Sequence, residues 1–267
     1  MIDAHVHLDK GELSLQWIQQ FVYKAVEMNI DELYLLEHTN LFLEFMPIYE
    51  ELESYNEYQR KWVENKRNNA VPLSDYINFI KEIKKIELPI KIKYGLVICY
   101  SPLYEEYLRN TLSHFSFDFY LGSIHTIDGW AFSHLKQKWS EKDVDADVIY
   151  KKYYEVMLKL IESRLFNGLA HPFSLGCYGV SPKADFTHEY EKIAVSLYKN
   201  NMYTELNSGL TLNYGVRNFG MNEPMFKKLK ENNVKILTSS DAHKPEHVGA
   251  YVSEMTKLIY GDKNGSK

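Results

Sequence analysis

Seven short apolar runs, each followed by a helix-patterned stretch or a polar excursion, constrain this chain more than anything else in its 267 residues. Strands buried on both faces read as continuous apolar runs, and parallel neighbours need a crossover, usually a helix, between them. The runs are Asp3–His7, Glu32–His38, Pro89–Cys99, Phe117–His125, Leu169–Pro172, Met202–Asn207 and Val234–Thr238. Between them, helical spacing and caps mark helices. Ser14 caps the first, with Ile18, Phe21, Val22 and Ala25 on one face. Others run from Leu73 to Ile83, Leu103 to Leu112, Val148 to Phe166 and Glu189 to Lys199, and one opens at Asn222-Glu223-Pro224. Asn167-Gly168 reads as the C-cap of the long one.

Alternation of this kind predicts an α/β fold. The segment from about 41 to 72 is aromatic, without clear periodicity, and is expected as an insertion over one mouth of the fold. A second polar and aromatic excursion covers 128–147, and an irregular segment containing Arg217 follows Ser208-Gly209. No Pro/Gly/Ser-rich linker divides the chain, so 1–267 reads as a single domain.

Five of the runs end in residues that ligate metals. Strand alternation would place Asp3, His5 and His7 on one side of the first. His38, His125 and His171 sit at the ends of the second, fourth and fifth, and Asp241 and His243 repeat the i, i+2 spacing after the seventh. Ligand-type residues at strand C-termini favour a closed barrel over an open sheet, since that face carries barrel active sites. His114, His134, His188 and His247 lack this placement and are expected at the surface or in supporting positions. Six imidazoles with a carboxylate suit two or three zinc, manganese or iron ions. Such a cluster lowers the pKa of a bridging water and clamps the oxygens of a phosphoryl group, which points to phosphate-ester hydrolysis.

Composition closes off other classes. A net charge of −5 argues against a nucleic-acid-binding surface. The lysine clusters at 81–85 and 227–230 lie within expected helices, where a solvated face explains them. No apolar stretch is long enough to span a membrane. Met1-Ile2-Asp3 runs straight into a strand, leaving no room for a signal peptide, and two cysteines make no disulfide framework. A soluble cytoplasmic protein is expected.

The pieces Asp3-Ala4-His5-Val6-His7, Leu36-Glu37-His38-Thr39, Gly122-Ser123-Ile124-His125, Ala170-His171-Pro172 and Ser240-Asp241-Ala242-His243 resemble, in order, the motifs of the polymerase and histidinol phosphatase (PHP) superfamily, most closely its histidinol phosphatase branch. The resemblance implies a distorted seven-stranded (β/α) barrel with two or three metals at the strand C-termini. It implies a small phosphorylated metabolite as substrate and inorganic phosphate as product. Carried over, His5, His7 and Asp241 resemble ligands of one metal, His125 and His171 of a second, and His38 and His243 of a third. The chain departs from the pattern at Gly95-Leu96-Val97, where the family places a metal-bridging glutamate, and it has no further histidine between Leu8 and Leu13. Glu37 should face the other side of its strand from His38 and so cannot substitute. A phosphate also needs cationic donors, for which Arg217, then Arg164, are the candidates.

Overall fold

The computed structural model describes residues 1–134 and 144–261. Seven parallel strands follow one another around the sheet in chain order: β1 (Ile2–Val6), β2 (Glu32–His38), β3 (Lys91–Cys99), β4 (Phe119–Ser123), β5 (Gly168–Leu169), β6 (Tyr203–Asn207) and β7 (Ile236–Ser239). The ring closes where Val6 bridges Ala242 in parallel. There Asp241 N–H donates to the His5 carbonyl and His7 N–H to the Ala242 carbonyl, both at 2.8 Å. The expected seven-stranded barrel is therefore present.

Ten α-helices are described: α1 (Leu15–Glu27), α2 (Glu50–Glu53), α3 (Glu57–Asn69), α4 (Leu73–Ile83), α5 (Glu105–Leu112), α6 (Ala146–Glu162), α7 (Thr187–Lys199), α8 (Gly209–Tyr214), α9 (Glu223–Glu231) and α10 (Val252–Tyr260). Two caps are made as expected. Ser14 Oγ accepts from Trp17 N–H at 3.2 Å, and Asn222 Oδ1 from Met225 N–H at 2.9 Å. Both satisfy amide groups that a helix start leaves without an intrahelical partner.

The core has two parts. The larger lies outside the barrel, where Leu33, Leu35, Tyr94, Leu96 and Ile98 meet the helices. The smaller fills the barrel, with Ala4, Leu36, Val97, Leu121, Ala170 and Leu237 in the interior and Tyr34, Phe119 and Tyr203 near the strand starts. Strand alternation thus sends the apolar series of β3 to the helices and leaves Val97 inside.

Several sequence expectations need correction. The 41–72 insertion has regular structure although its sequence shows no clear period. It holds 3-10 turns at Thr39–Leu41 and Leu43–Tyr49 and the helices α2 and α3. Helix α3 went unseen because only Gln59 and Val63 are buried in it, too few to write a 3.6-residue period. Helices α8 and α10 were likewise not anticipated. Part of the 128–147 excursion, 135–143, lies outside the described residues.

The long helix α6 ends at Glu162, and Gly168 is not its C-cap. Arg164 takes the left-handed conformation at φ 57°, and Gly168 belongs to β5. Its need for no side chain comes from packing, since a Cβ there would lie 2.6 Å from Tyr203 Cζ, inside contact distance. Gly168→Ala should therefore cost about 1–3 kcal/mol of unfolding free energy, the usual penalty of overpacking, measured by denaturant titration.

Candidate metal centre

The barrel's C-terminal mouth gathers His5, His7, His38, His125, His171, Asp241 and His243. His5 stands on β1 and His7 just past its end, and His38 closes β2. His125 and His171 each follow a strand end by two residues, and Asp241 and His243 follow β7. His7 stacks between His38 and His243, with ring centroids 4.2 and 4.4 Å away. His5 Nε2 lies 3.0 Å from His7 Nε2, and His125 Nε2 3.4 Å from His171 Nε2. Asp241 Oδ1 sits among them, 3.6 Å from His5 Nε2, 3.4 Å from His7 Nε2 and 3.6 Å from His243 Nε2. Two subsets present atoms close enough to share one ion: His5, His7 and Asp241, and His7, His38 and His243.

Two of these side chains are aimed by backbone in sparsely populated conformations. Asp241 is left-handed at φ 56°, and His171 has φ 24°. Aspartate tolerates the left-handed region better than most residues, and such outliers persist where surroundings over-determine them. Around Asp241 that means Gly209, where a Cβ would stand 2.4 Å from Asp241 Oδ2. His171 is held by its amide, which donates to Glu205 Oε1 at 3.0 Å.

Carboxylates behind the histidines fix which nitrogen faces the centre. His5 Nδ1 donates to Glu205 Oε1 at 3.0 Å, and His243 Nδ1 to Asp9 Oδ1 at 2.8 Å. An ionised carboxylate can only accept, so in each neutral ring Nε2 keeps its lone pair and points it at the centre. Burial opposes the charge on Asp9, but His243 outweighs it and holds the carboxyl at about 2. Glu205 is buried as well, yet His5 and then His171 hold it below its ordinary value.

Burial also opposes charge on His5, but Glu205 and Asp241 lift it to about 9. His7, His38, His125 and His171 are pushed towards neutrality. Burial, then His243, brings His7 down to about 4, and burial, then His171, brings His125 to about 3. Burial and His7 hold His38 well below the usual range. Asp241 stays ionised despite burial because His5, His7 and His243 face it.

The donor set fits divalent cations. Metal ligands must be deprotonated, and four of the rings, His7, His38, His125 and His171, are held towards neutrality around an ionised carboxylate. At 3.0–3.6 Å the lone pairs of His5, His7, His243 and Asp241 repel one another unless something positive stands between them. Protons can meet that need only in part, because burial resists charging most of the rings.

Some residues considered from the sequence lie elsewhere. Asp3 does not share the face of His5 and His7. Its Oδ1 accepts from Ser240 N–H at 2.8 Å and its Oδ2 from Gly249 N–H at 2.9 Å, tying β1 to the loop after β7. The β1–β2 register shifts between Asp3 and Val6, and this irregularity breaks the two-residue alternation. Arg164 is exposed, four residues before β5 and thus beside the opposite end of the barrel, among α6 and α7 side chains such as Glu162 and Lys192. Arg217 is exposed in the loop after α8 and does not line the cavities at the histidines. Glu37 turns away, as its strand position predicted. Its Oε1 accepts from Leu8 N–H, and burial pushes its pKa up to about 8.

Sequence reasoning missed Glu205, Asp9 and Lys66. Glu205 sat in plain view at a strand end, but nothing in a lone glutamate tells an orienting carboxylate from a ligand. It accepts further bonds from Asn207 Nδ2 at 2.9 Å and Ser239 Oγ at 2.7 Å, so both oxygens are engaged away from the centre. Lys66, on α3, is half-buried with its ammonium 5.6 Å from the Trp62 ring centroid. Burial lowers its pKa, and Asp9 works in the other direction. Glu205→Gln should weaken metal affinity by about 10- to 100-fold, the usual cost of losing an orienting carboxylate. Competition with a chromogenic chelator would show an unchanged affinity if His5 is oriented otherwise.

The PHP domain family matches this chain over residues 3–209. A Deinococcus radiodurans protein named "Probable histidinol-phosphatase" is 22% identical over 197 residues, 68% of this chain and 70% of that one. A Listeria monocytogenes protein put forward as a histidinol phosphatase superposes with a TM-score of 0.72 at 18% identity, over 95% of this chain and 99% of its own. The histidinol phosphate phosphatase of Lactococcus lactis superposes with a TM-score of 0.69 at 17% identity, over 97% and 92%. Its crystal structure holds zinc, L-histidinol and phosphate. At these identities the two structures speak for the fold.

Proposed function

The chain belongs to the PHP domain family, and from that premise we propose that it is a metal-dependent phosphomonoesterase that converts L-histidinol phosphate to L-histidinol and inorganic phosphate. One observation carries the reading: imidazoles and one carboxylate converge at the C-terminal mouth, with the Nδ1 atoms of His5 and His243 tied to carboxylates behind them. The relatives' names supply the substrate.

We take 1–267 as one such domain, with the insertion from about 41 to 72 roofing the mouth. His5, His7 and Asp241 would hold one ion, His125 and His171 a second, and His38 and His243 a third, each zinc, manganese or iron. Bound there, the ions would supply Lewis acidity at the phosphoryl oxygens and a nucleophile at neutral pH. The chain's own residues bind and orient: Asp9 and Glu205 hold the rings, and Arg217 and the half-buried Lys66 are the cations proposed for an anionic substrate. No described helix is long and apolar enough to cross a membrane, which suits the cytoplasmic location proposed here.

Val97 favours a second reading, a member of the family with weakened or absent turnover. A nuclease is disfavoured by the net charge of −5. The test is phosphate release from histidinol phosphate, beside cleavage of single-stranded DNA, by protein loaded separately with zinc, manganese and iron. Metal-dependent release from the monoester alone is expected. DNA cleavage, or no release with any of the three metals, would overturn the reading.

A further inference from the structure

Beside the histidines a cavity of about 180 Å³ opens under the insertion. His38 and His125 form the wall it shares with the metal centre, and Tyr49, Trp62, Asn40 and His134 line it further out. Asn40 Oδ1 and His134 Nδ1 are both buried, and neither has a hydrogen-bond partner among the described residues. A buried polar atom left unpaired costs roughly 1–3 kcal/mol, so two on one small cavity call for a ligand that pairs them.

The chemistry of that ligand follows from the lining. Tyr49 and Trp62 stand edge to face, ring centroids 5.9 Å apart, giving apolar surface for a flat ring. The Tyr49 hydroxyl is already engaged with Thr39 Oγ1 at 2.8 Å. Two polar groups are left to be paired. Asn40 offers a carbonyl oxygen, which accepts, and burial, then Lys66, brings His134 down to about 4, leaving a neutral ring whose Nδ1 accepts or donates according to its tautomer. The volume of about 180 Å³ has room for a five-membered ring on a short chain.

We propose that this cavity is the leaving-group subsite, and that Asn40 and His134 select an aromatic ring bearing N–H donors over an isosteric hydrocarbon ring. The proposal rests on the phosphatase reading and adds the part of the substrate that each wall meets. The ester oxygen would lie towards His38 and His125, and the ring against Tyr49 and Trp62 with its two nitrogens on Asn40 and His134. A site built to hydrogen-bond its ligand rejects the analogue lacking the donor far more strongly than an apolar site distinguishes shapes.

The test is calorimetric binding of L-histidinol and of L-phenylalaninol to zinc-loaded protein. The native chain should prefer histidinol by at least tenfold. Asn40→Leu and, independently, His134→Phe should each remove most of that preference by weakening histidinol binding. A native chain that binds the two alcohols equally, or variants that keep the full preference, would overturn the subsite. Phosphate release from histidinol phosphate is measured in parallel. Turnover with no preference sinks the subsite and leaves the phosphatase reading, whereas preference without turnover does the reverse.

Discussion

Asp241→Asn is expected to strip at least one metal ion from each chain and to lower phosphate release from histidinol phosphate by well over 100-fold. Removing a carboxylate that only orients a ligand costs about 10- to 100-fold in metal affinity or activity, and Asp241 stands nearer the centre than that. Its Oδ1 is 3.4–3.6 Å from three ring nitrogens, and those rings hold it ionised. Asparagine is the informative replacement because, like aspartate, it tolerates φ 56°, and its size respects the Gly209 contact. The barrel should fold, since its interior of Leu36, Val97, Leu121 and Leu237 does not depend on the ion. Elemental analysis would give the metal count and circular dichroism the fold. A folded variant with full stoichiometry would mean that the ions sit elsewhere.

How much of this was legible beforehand depended on the kind of signal. Parallel strands wrote themselves as apolar runs because both faces are buried, and a histidine ending such a run has few structural reasons to be there. That brought together residues as distant as His5 and His243. Asp3 misled because alternation holds only while the strand is regular, and β1 shifts register just where it is needed. Gly168 misled because a glycine that serves packing looks like one that serves a cap. Asp9 and Glu205 were beyond reach for another reason. Each acts through a partner remote in sequence, His243 and His5, and no local pattern records that pairing. Arg217 and Arg164 were chosen by residue type alone, and neither lines the cavities at the histidines.

Val97→Glu is expected to raise metal stoichiometry and to increase turnover of histidinol phosphate from slow to robust. Val97 pairs with His38 across β2 and β3, so the two lie at one height in the barrel, and Val97 is 1% exposed within the interior cluster. A carboxylate there would bring a second ionised group beside the rings, offsetting cationic charge that neutral imidazoles leave uncompensated. Glu205 does not fill that gap, because its oxygens are taken by His5, the His171 amide, Asn207 and Ser239.

The same burial makes the variant diagnostic. Without metal, a carboxylate among Ala4, Leu36 and Leu121 is desolvated and unpaired, so the metal-free variant should melt lower than the native chain. With metal it gains an ionic partner. The rise in melting temperature on adding zinc or manganese should therefore be larger in Val97→Glu than in the native protein, since a ligand bound only by the folded state stabilises it by mass action. Equal rises, together with robust metal-dependent turnover by the native chain, would show that Val97 faces no ion and that the bridging position lies elsewhere in the mouth.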